Sequence, residues 1–152
     1  MRCFVLTISD TRTMDTDTGG DAIVGALTNA GHHVLGRQIV RDEPADVQAS
    51  VRARLADAQV IITTGGTGIT SRDSTYEAIT ALLDKTIDGF GELFRALSFD
   101  EIGAAAMMSR ACAGTMGRTA IFTLPGSPDA VRLALDKLIL PEIGHVVREL
   151  QR

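Results

Sequence analysis

The sequence predicts an α/β fold, a three-layer α/β/α sandwich around a mostly parallel central sheet. Two observations lead there: short, almost continuously apolar runs alternate with amphipathic helical segments, and each run ends in a polar turn, one of them rich in glycine. Composition agrees. Hydrophobic residues make up 45% of the chain and aromatic residues 4%, with no tryptophan. The core must therefore be built from Val, Ile, Leu, Ala and Met, as helices packed on a buried sheet usually require.

Four runs read as strands: Cys3 to Ile8, Val34 to Val40, Val60 to Thr64 and Thr119 to Leu124. The first, third and fourth are nearly continuous in hydrophobicity, as strands covered on both faces are. Between them lie helical patterns. Ile23, Leu27 and Ala30 share a face, and Gly31 follows as a stop. Pro44 suits a first helical position ahead of Val47, Val51 and Leu55. Ser74 and Glu77 fit a capping box before Ile79, Leu82 and Leu83. Phe90, Leu93, Phe94 and Leu97 keep helical spacing, as do Ile143, Val146, Val147 and Leu150. Ser127-Pro128 starts a helix that carries Val131, Leu135 and Leu138. The stretch from Asp84 to Gly117 breaks the alternation with two further helical pieces, an insertion expected beside a ligand or at a subunit contact.

No linker or repeat divides the chain, so residues 1–152 are expected to form one domain. The apolar opening is too short for a membrane span and no small-residue cleavage site follows it, which makes the cytoplasm the expected location and a membrane an unexpected partner. Net charge is −4 with no basic run, so nucleic acid is not an expected partner either. Cys3 and Cys112 both sit among apolar residues and read as core thiols; the three histidines lack metal-ligand spacing.

In an open parallel sheet, ligands bind beyond the carboxyl ends of the strands. There the sequence places Ser9-Asp10-Thr11-Arg12, Arg41-Asp42-Glu43-Pro44, Thr63-Thr64-Gly65-Gly66-Thr67-Gly68 followed by Ser71-Arg72-Asp73, and Leu124-Pro125-Gly126-Ser127-Pro128. Gly65, Gly66 and Gly68 permit positive φ and a close backbone approach to an anion, and Thr64, Thr67, Thr70 and Arg72 stand beside them. A tight strand-to-helix turn is the plainer reading, and a phosphate site the fuller one. No Gly-Lys-Ser/Thr follows, so this is not a Walker loop, and a dinucleotide fingerprint fails for lack of its acidic partner. Asp73 reads as a helix cap or, if Ser74 and Glu77 supply the cap, as a free carboxylate. Asp42 reads as a pre-proline turn residue or as a second carboxylate for a hydrated magnesium ion. Glu92, in the first turn of its helix, faces solvent or ligand.

Together these segments resemble the MoaB/MogA family of molybdenum-cofactor biosynthesis. The resemblance rests on Ser9-Asp10-Thr11-Arg12, Asp17-Thr18-Gly19, the glycine loop with Arg72-Asp73, Gly89-Phe90-Gly91-Glu92, Ser109-Arg110-Ala111 and Leu124 to Pro128, in that order, and covers nearly the whole chain. It implies a molybdopterin-binding fold assembled as a homotrimer or homohexamer. It also implies adenylylation of molybdopterin's terminal phosphate by ATP with Mg²⁺, pyrophosphate release, and a downstream molybdenum-insertion protein. By position, Asp42 and Asp73 would be the catalytic, magnesium-holding carboxylates. Gly65, Gly66, Thr67 and Gly68 would bind phosphate, with Arg72 to neutralise it. Ser9, Asp10, Glu92, Gly126 and Ser127 would line the nucleotide and pterin pockets. The alternative is a non-catalytic carrier or scaffold in the same pathway.

Overall fold

The computed structural model describes residues 1–152. Six strands, β1 (Arg2–Ile8), β2 (His33–Val40), β3 (Val60–Thr64), β4 (Lys85–Thr86), β5 (Cys112–Met116) and β6 (Thr119–Leu124), form one sheet in the order β2-β1-β3-β6-β5-β4. The pairs β1–β2, β1–β3 and β3–β6 are parallel; β5–β6 and β4–β5 are antiparallel. The helices are α1 (Thr18–Asn29), α2 (Pro44–Arg52), α3 (Thr75–Thr80), α4 (Asp88–Ile102), α5 (Pro128–Ala134) and α6 (Leu140–Leu150).

Successive strand side chains point to opposite faces, and here both faces are buried. Cys3, Val5, Val60 and Ile62 join Ile23 and Leu27 of α1, Phe94 of α4, Val131 of α5 and Ile143 of α6 in one cluster. Phe4, Leu6, Ile8 and Ile61 pack instead on Val47 and Val51 of α2 and Ile79 of α3. The expected three layers and mostly parallel sheet are therefore present.

Three local expectations change. The stretch from Asp84 to Gly117 holds α4 and a 3₁₀ turn (Gly103–Met108), and it also contributes β4 and β5, which extend the sheet by two antiparallel strands. β5 has no β-branched or aromatic run to announce it. Its sign is the hairpin to β6, where Gly117 (φ 59) is the first of two loop residues, as a type II′ turn requires. Next, α5 and α6 run together through a π turn (Leu135–Ile139). Pro141 has no N–H for a regular bond to the carbonyl four residues earlier, and the wider turn lies just ahead of it. Finally, the capping box at Ser74 does not form, because tertiary partners take both of its side chains, as the site geometry makes plain.

No helix is long and apolar enough to cross a membrane. Both cysteines are free. Cys3 is fully buried, which pushes its thiol up to about 11, while Cys112 is only partly buried.

Candidate functional site

The chain leaves β1 toward β2 on one side and returns to β3 on the other, so the crevice between the carboxyl ends of β1 and β3 is a topological switch point. The glycine loop lies there. Gly65 (φ 103) passes so close to β1 that an added Cβ would stand 2.2 Å from the Ile8 carbonyl oxygen. Only glycine fits. Its N–H bonds Leu124 O at 2.9 Å, and Thr64 Oγ1 donates to Pro125 O at 2.7 Å, which ties the loop to the Pro125-Gly126 turn. The carbonyls beyond are taken from behind: Gly66 O by Thr75 N (3.1 Å), Thr67 O by Arg110 N (3.0 Å) and Gly68 O by Arg110 Nε (2.9 Å). The N–H groups of Gly66, Thr67, Gly68 and Ile69 have no acceptor within the chain. Consecutive free amides on a loop opened by the positive-φ glycines Gly65 and Gly66 make an anion cradle.

Two carboxylates flank the cradle. An added Cβ on Gly66 would lie 2.7 Å from Asp42 Oδ2, and one on Gly68 would lie 2.7 Å from Asp73 Oδ2. Asp42 is 7% exposed, and its Oδ1 accepts from Ser74 Oγ (2.7 Å) and Ser74 N (3.3 Å). Burial raises its pKa above the usual carboxylate value, repulsion from Asp73 and Asp10 adds to the rise, and the bonds from Ser74 do not cancel it. This is where the expected capping box goes: Ser74 serves Asp42, and Glu77 pairs with Arg110. Asp73 is therefore not freed by that box. Its Oδ2 accepts from Thr70 N (2.9 Å) and Thr70 Oγ1 (2.7 Å) in a turn closed by Asp73 N to Thr70 O (3.1 Å). Asp42 Oδ2 and Asp73 Oδ1 remain without a partner in the chain.

Arg72 was expected to neutralise phosphate, but here it answers carboxylates. It reaches Asp10 through Nε (3.0 Å) and Nη2 (3.2 Å), Glu43 at 3.0 Å and the Asp42 carbonyl at 3.3 Å. The hydrogen bonds from Arg72, joined by that from Asp42 N, hold Asp10 below the ordinary carboxylate range.

On the other side of Gly65 lies a cavity of about 380 Å³ whose lining includes Ser9, Asp17, Gly126 and Ser127. Ser9 Oγ accepts from Thr11 N (3.1 Å) and Arg12 N (2.9 Å), while Ser127 caps α5 by accepting from Ala130 N at 3.2 Å. Glu92 is elsewhere. It lines a separate cavity of about 220 Å³ with Tyr76, Leu83, Asp88, Arg95 and Cys112. The two cavities share no lining residue. The structure thus gathers Ser9, Asp10, Asp42, the glycine loop, Arg72, Asp73, Gly126 and Ser127 around one crevice and sets Glu92 apart.

Four residues carry this geometry without a role assigned from sequence: Asp17, Arg37, Thr75 and Arg110. Asp17 and Arg110 sit in segments that carry the family resemblance, a signal that could have singled them out. Arg37 stands alone in an otherwise uncharged strand, a weaker signal. Thr75 Oγ1 is buried with no partner beside Gly66, and nothing in the sequence marks it.

The loop, the crevice and its carboxylates are those of a molybdopterin-binding domain. The chain belongs to the family described as a probable molybdopterin binding domain, whose model matches residues 4–145. It is 53% identical to the molybdenum cofactor biosynthesis protein B of Bacillus cereus, over 100% of this chain and 92% of that protein. A crystal structure of a molybdenum cofactor biosynthesis protein B superimposes with a TM-score of 0.96 at 54% identity, covering 99% of this chain and 96% of the other. The tungsten cofactor synthesizing protein MoaB of Pyrococcus furiosus does so with a TM-score of 0.89 at 36% identity, covering 99% and 97%. The resemblance expected from the motifs is borne out, and this chain is a molybdenum-cofactor biosynthesis protein by family.

Proposed function

We propose that the chain adenylylates molybdopterin with ATP and Mg²⁺. A terminal phosphate oxygen of molybdopterin attacks the α-phosphorus of ATP, the bond to the oxygen bridging to the β-phosphate breaks, and pyrophosphate leaves. The observation behind this reading is the run of free amides at Gly66–Ile69 between two carboxylates with unpartnered oxygens. Amides alone would suit any anion. Carboxylates alone would repel a phosphate. The combination fits a phosphate that arrives with a divalent cation.

No three His, Cys, Asp or Glu side chains are grouped as metal ligands, so the ion would be held by one or two carboxylates together with phosphate oxygens and water, as Mg²⁺ usually is. Asp42 Oδ2 and Asp73 Oδ1 are the oxygens available to it. Magnesium would neutralise the charge developing on the phosphates. The chain's own groups would hold and orient: Gly66 to Ile69 grip phosphate oxygens, and Ser9, Gly126 and Ser127 line the nucleotide side. Arg72 would turn from Asp10 and Glu43 toward the phosphates. The cavity with Tyr76 and Glu92 offers an aromatic wall and a carboxylate for the ring and N–H groups of a pterin.

A second reading, a non-catalytic molybdopterin carrier, is favoured by one observation: Arg72 Nε and Nη2 are held by Asp10 and Glu43, and Asp42 Oδ1 by Ser74. Exposed Leu93, Phe99, Ile102, Met107 and Met108 on α4 and the following 3₁₀ turn support a homotrimer or homohexamer, read directly by sedimentation; a monomer would exclude both. A molybdenum-insertion protein would take the product.

The test is incubation with molybdopterin, ATP and Mg²⁺, followed by assay of adenylyl-molybdopterin and pyrophosphate. Product is expected from the unmodified chain. Asp73→Asn should lose about a hundredfold or more in turnover while keeping its fold and pterin affinity. Pterin binding without product would establish the carrier reading.

A further inference from the structure

We infer that Arg110 is a positioning residue that holds the phosphate cradle in shape, reaching it from the segment just before β5. The inference rests on the adenylylation reading only in taking the cradle as the seat of a nucleotide phosphate.

Arg110 directs its donors at the back of the loop. Its main-chain N–H bonds Thr67 O at 3.0 Å, Nε bonds Gly68 O at 2.9 Å and Nη2 bonds Asp73 O at 3.2 Å. Nη1 pairs with Glu77, and the guanidinium carbon stands 5.3 Å from the Tyr76 ring centroid. The side chain is only 27% exposed. With its donors committed to carbonyls and Glu77, Arg110 acts on a ligand through the loop.

Each planar trans peptide points its N–H opposite its C=O. Fixing the Thr67 and Gly68 carbonyls therefore aims the N–H groups of Gly68 and Ile69 away from Arg110, and both are free donors. Fixing the Asp73 carbonyl likewise aims the Ser74 N–H, which donates to Asp42 Oδ1 at 3.3 Å. The guanidinium thus orders the Ile69 amide of the cradle and one bond to the Asp42 carboxylate, while the main-chain N–H of the same residue orders the Gly68 amide. Its charge behind the carbonyls also polarises the peptides in the sense that makes their N–H groups better donors. A planar fork is needed to hold two carbonyls at once, which an ammonium group does not provide. Tyr76, beneath the guanidinium, also lines the Glu92 cavity, so the same strut touches both candidate pockets.

The experiment is calorimetric titration of the purified chain with Mg-ATP, comparing wild type, R110A and R110K, with pyrophosphate release by the wild type measured alongside in the presence of added molybdopterin. R110A should bind Mg-ATP about tenfold or more weakly, and R110K should fall between R110A and wild type. Free guanidinium at low, non-denaturing concentration should restore affinity to R110A where an equal concentration of sodium chloride does not. Wild-type affinity in R110A overturns the inference; if R110A does not fold, wild-type affinity in R110K overturns it. A wild type that binds Mg-ATP but releases no pyrophosphate when molybdopterin is added overturns the adenylylation reading alone, and the affinity ratios still judge Arg110. A wild type that binds no Mg-ATP overturns both.

Discussion

Asp17, at the start of α1, and Asp42, just before α2, lie on either side of the glycine loop and are 2% and 7% exposed, yet their ionisation is pushed in opposite directions. Burial acts on both and by itself raises a carboxyl pKa. At Asp17 it is outweighed by donors: Thr7 Oγ1 at 2.6 Å, Gly20 N at 3.0 Å and the Arg37 guanidinium at 2.7 Å, so the net shift is downward. At Asp42 only Ser74 donates, Asp73 and Asp10 repel, and the net shift is upward. One corner has its carboxylate completely matched by donors and fixes the N-terminus of α1. The other is short of positive charge, as a corner that receives a cation with its ligand should be.

The largest expected effect breaks the complete corner. Arg37→Met would leave a buried carboxylate unpaired and should cost about 3 kcal/mol in urea unfolding, the lower end of the range because Arg37 keeps some contact with solvent. A loss well under 1 kcal/mol would mean that Thr7 and Gly20 satisfy Asp17 unaided.

Next comes Gly66→Ala, aimed at the incomplete corner alone. Its Cβ would lie 2.1 Å from Thr75 Oγ1 and 2.7 Å from Asp42 Oδ2, at φ 70. Displacement of both groups, added to left-handed backbone strain, should cost about 2 kcal/mol and weaken Mg-ATP binding. Unchanged stability would show that Asp42 and Thr75 move aside freely.

The smallest expected effect on stability is that of Asp42→Asn, which keeps an acceptor for Ser74 and removes the repulsion. Without magnesium, stability should stay level or rise by up to about 1 kcal/mol, while turnover is lost. The pH dependence gives the sign. Asp42 has a raised folded pKa, so its contribution is complete below the unfolded value near 3.9 and is lost as pH rises through the folded one. Asp17 is lowered and behaves inversely, its contribution being lost only as pH falls. Urea midpoints from about pH 4 to 7 should therefore fall for wild type relative to Asp42→Asn as pH rises. Parallel curves would place the charge of Asp42 in a compensated setting like that of Asp17.

Much of the architecture was legible because it is local. β1, β3 and β6 are apolar runs buried on both faces, and Val47 with Val51, or Ile143 with Val147, mark helix faces by spacing alone. β4 and β5 were not legible. β4 is two exposed residues, and Gly114 in β5 is dictated by Lys85 O, which would stand 2.4 Å from an added Cβ. A constraint imposed by a neighbouring strand leaves no periodicity to read.

By itself the sequence determined the layers, the strand ends at which a ligand would meet the chain, the glycine loop and the family. Those properties follow from hydrophobic period, turn chemistry and motif order, all of which are written along the chain. The tertiary structure alone decided that Ser74 serves Asp42 instead of its helix, that Arg72 answers Asp10 and Glu43, that Glu92 lies in a cavity of its own, and that Arg110 braces the loop. The physical reason is that a side chain's charge and hydrogen bonds depend on everything within a few ångströms, and here those neighbours lie far apart in sequence: Asp42 and Ser74 are separated by 32 positions, Arg110 and Gly68 by 42.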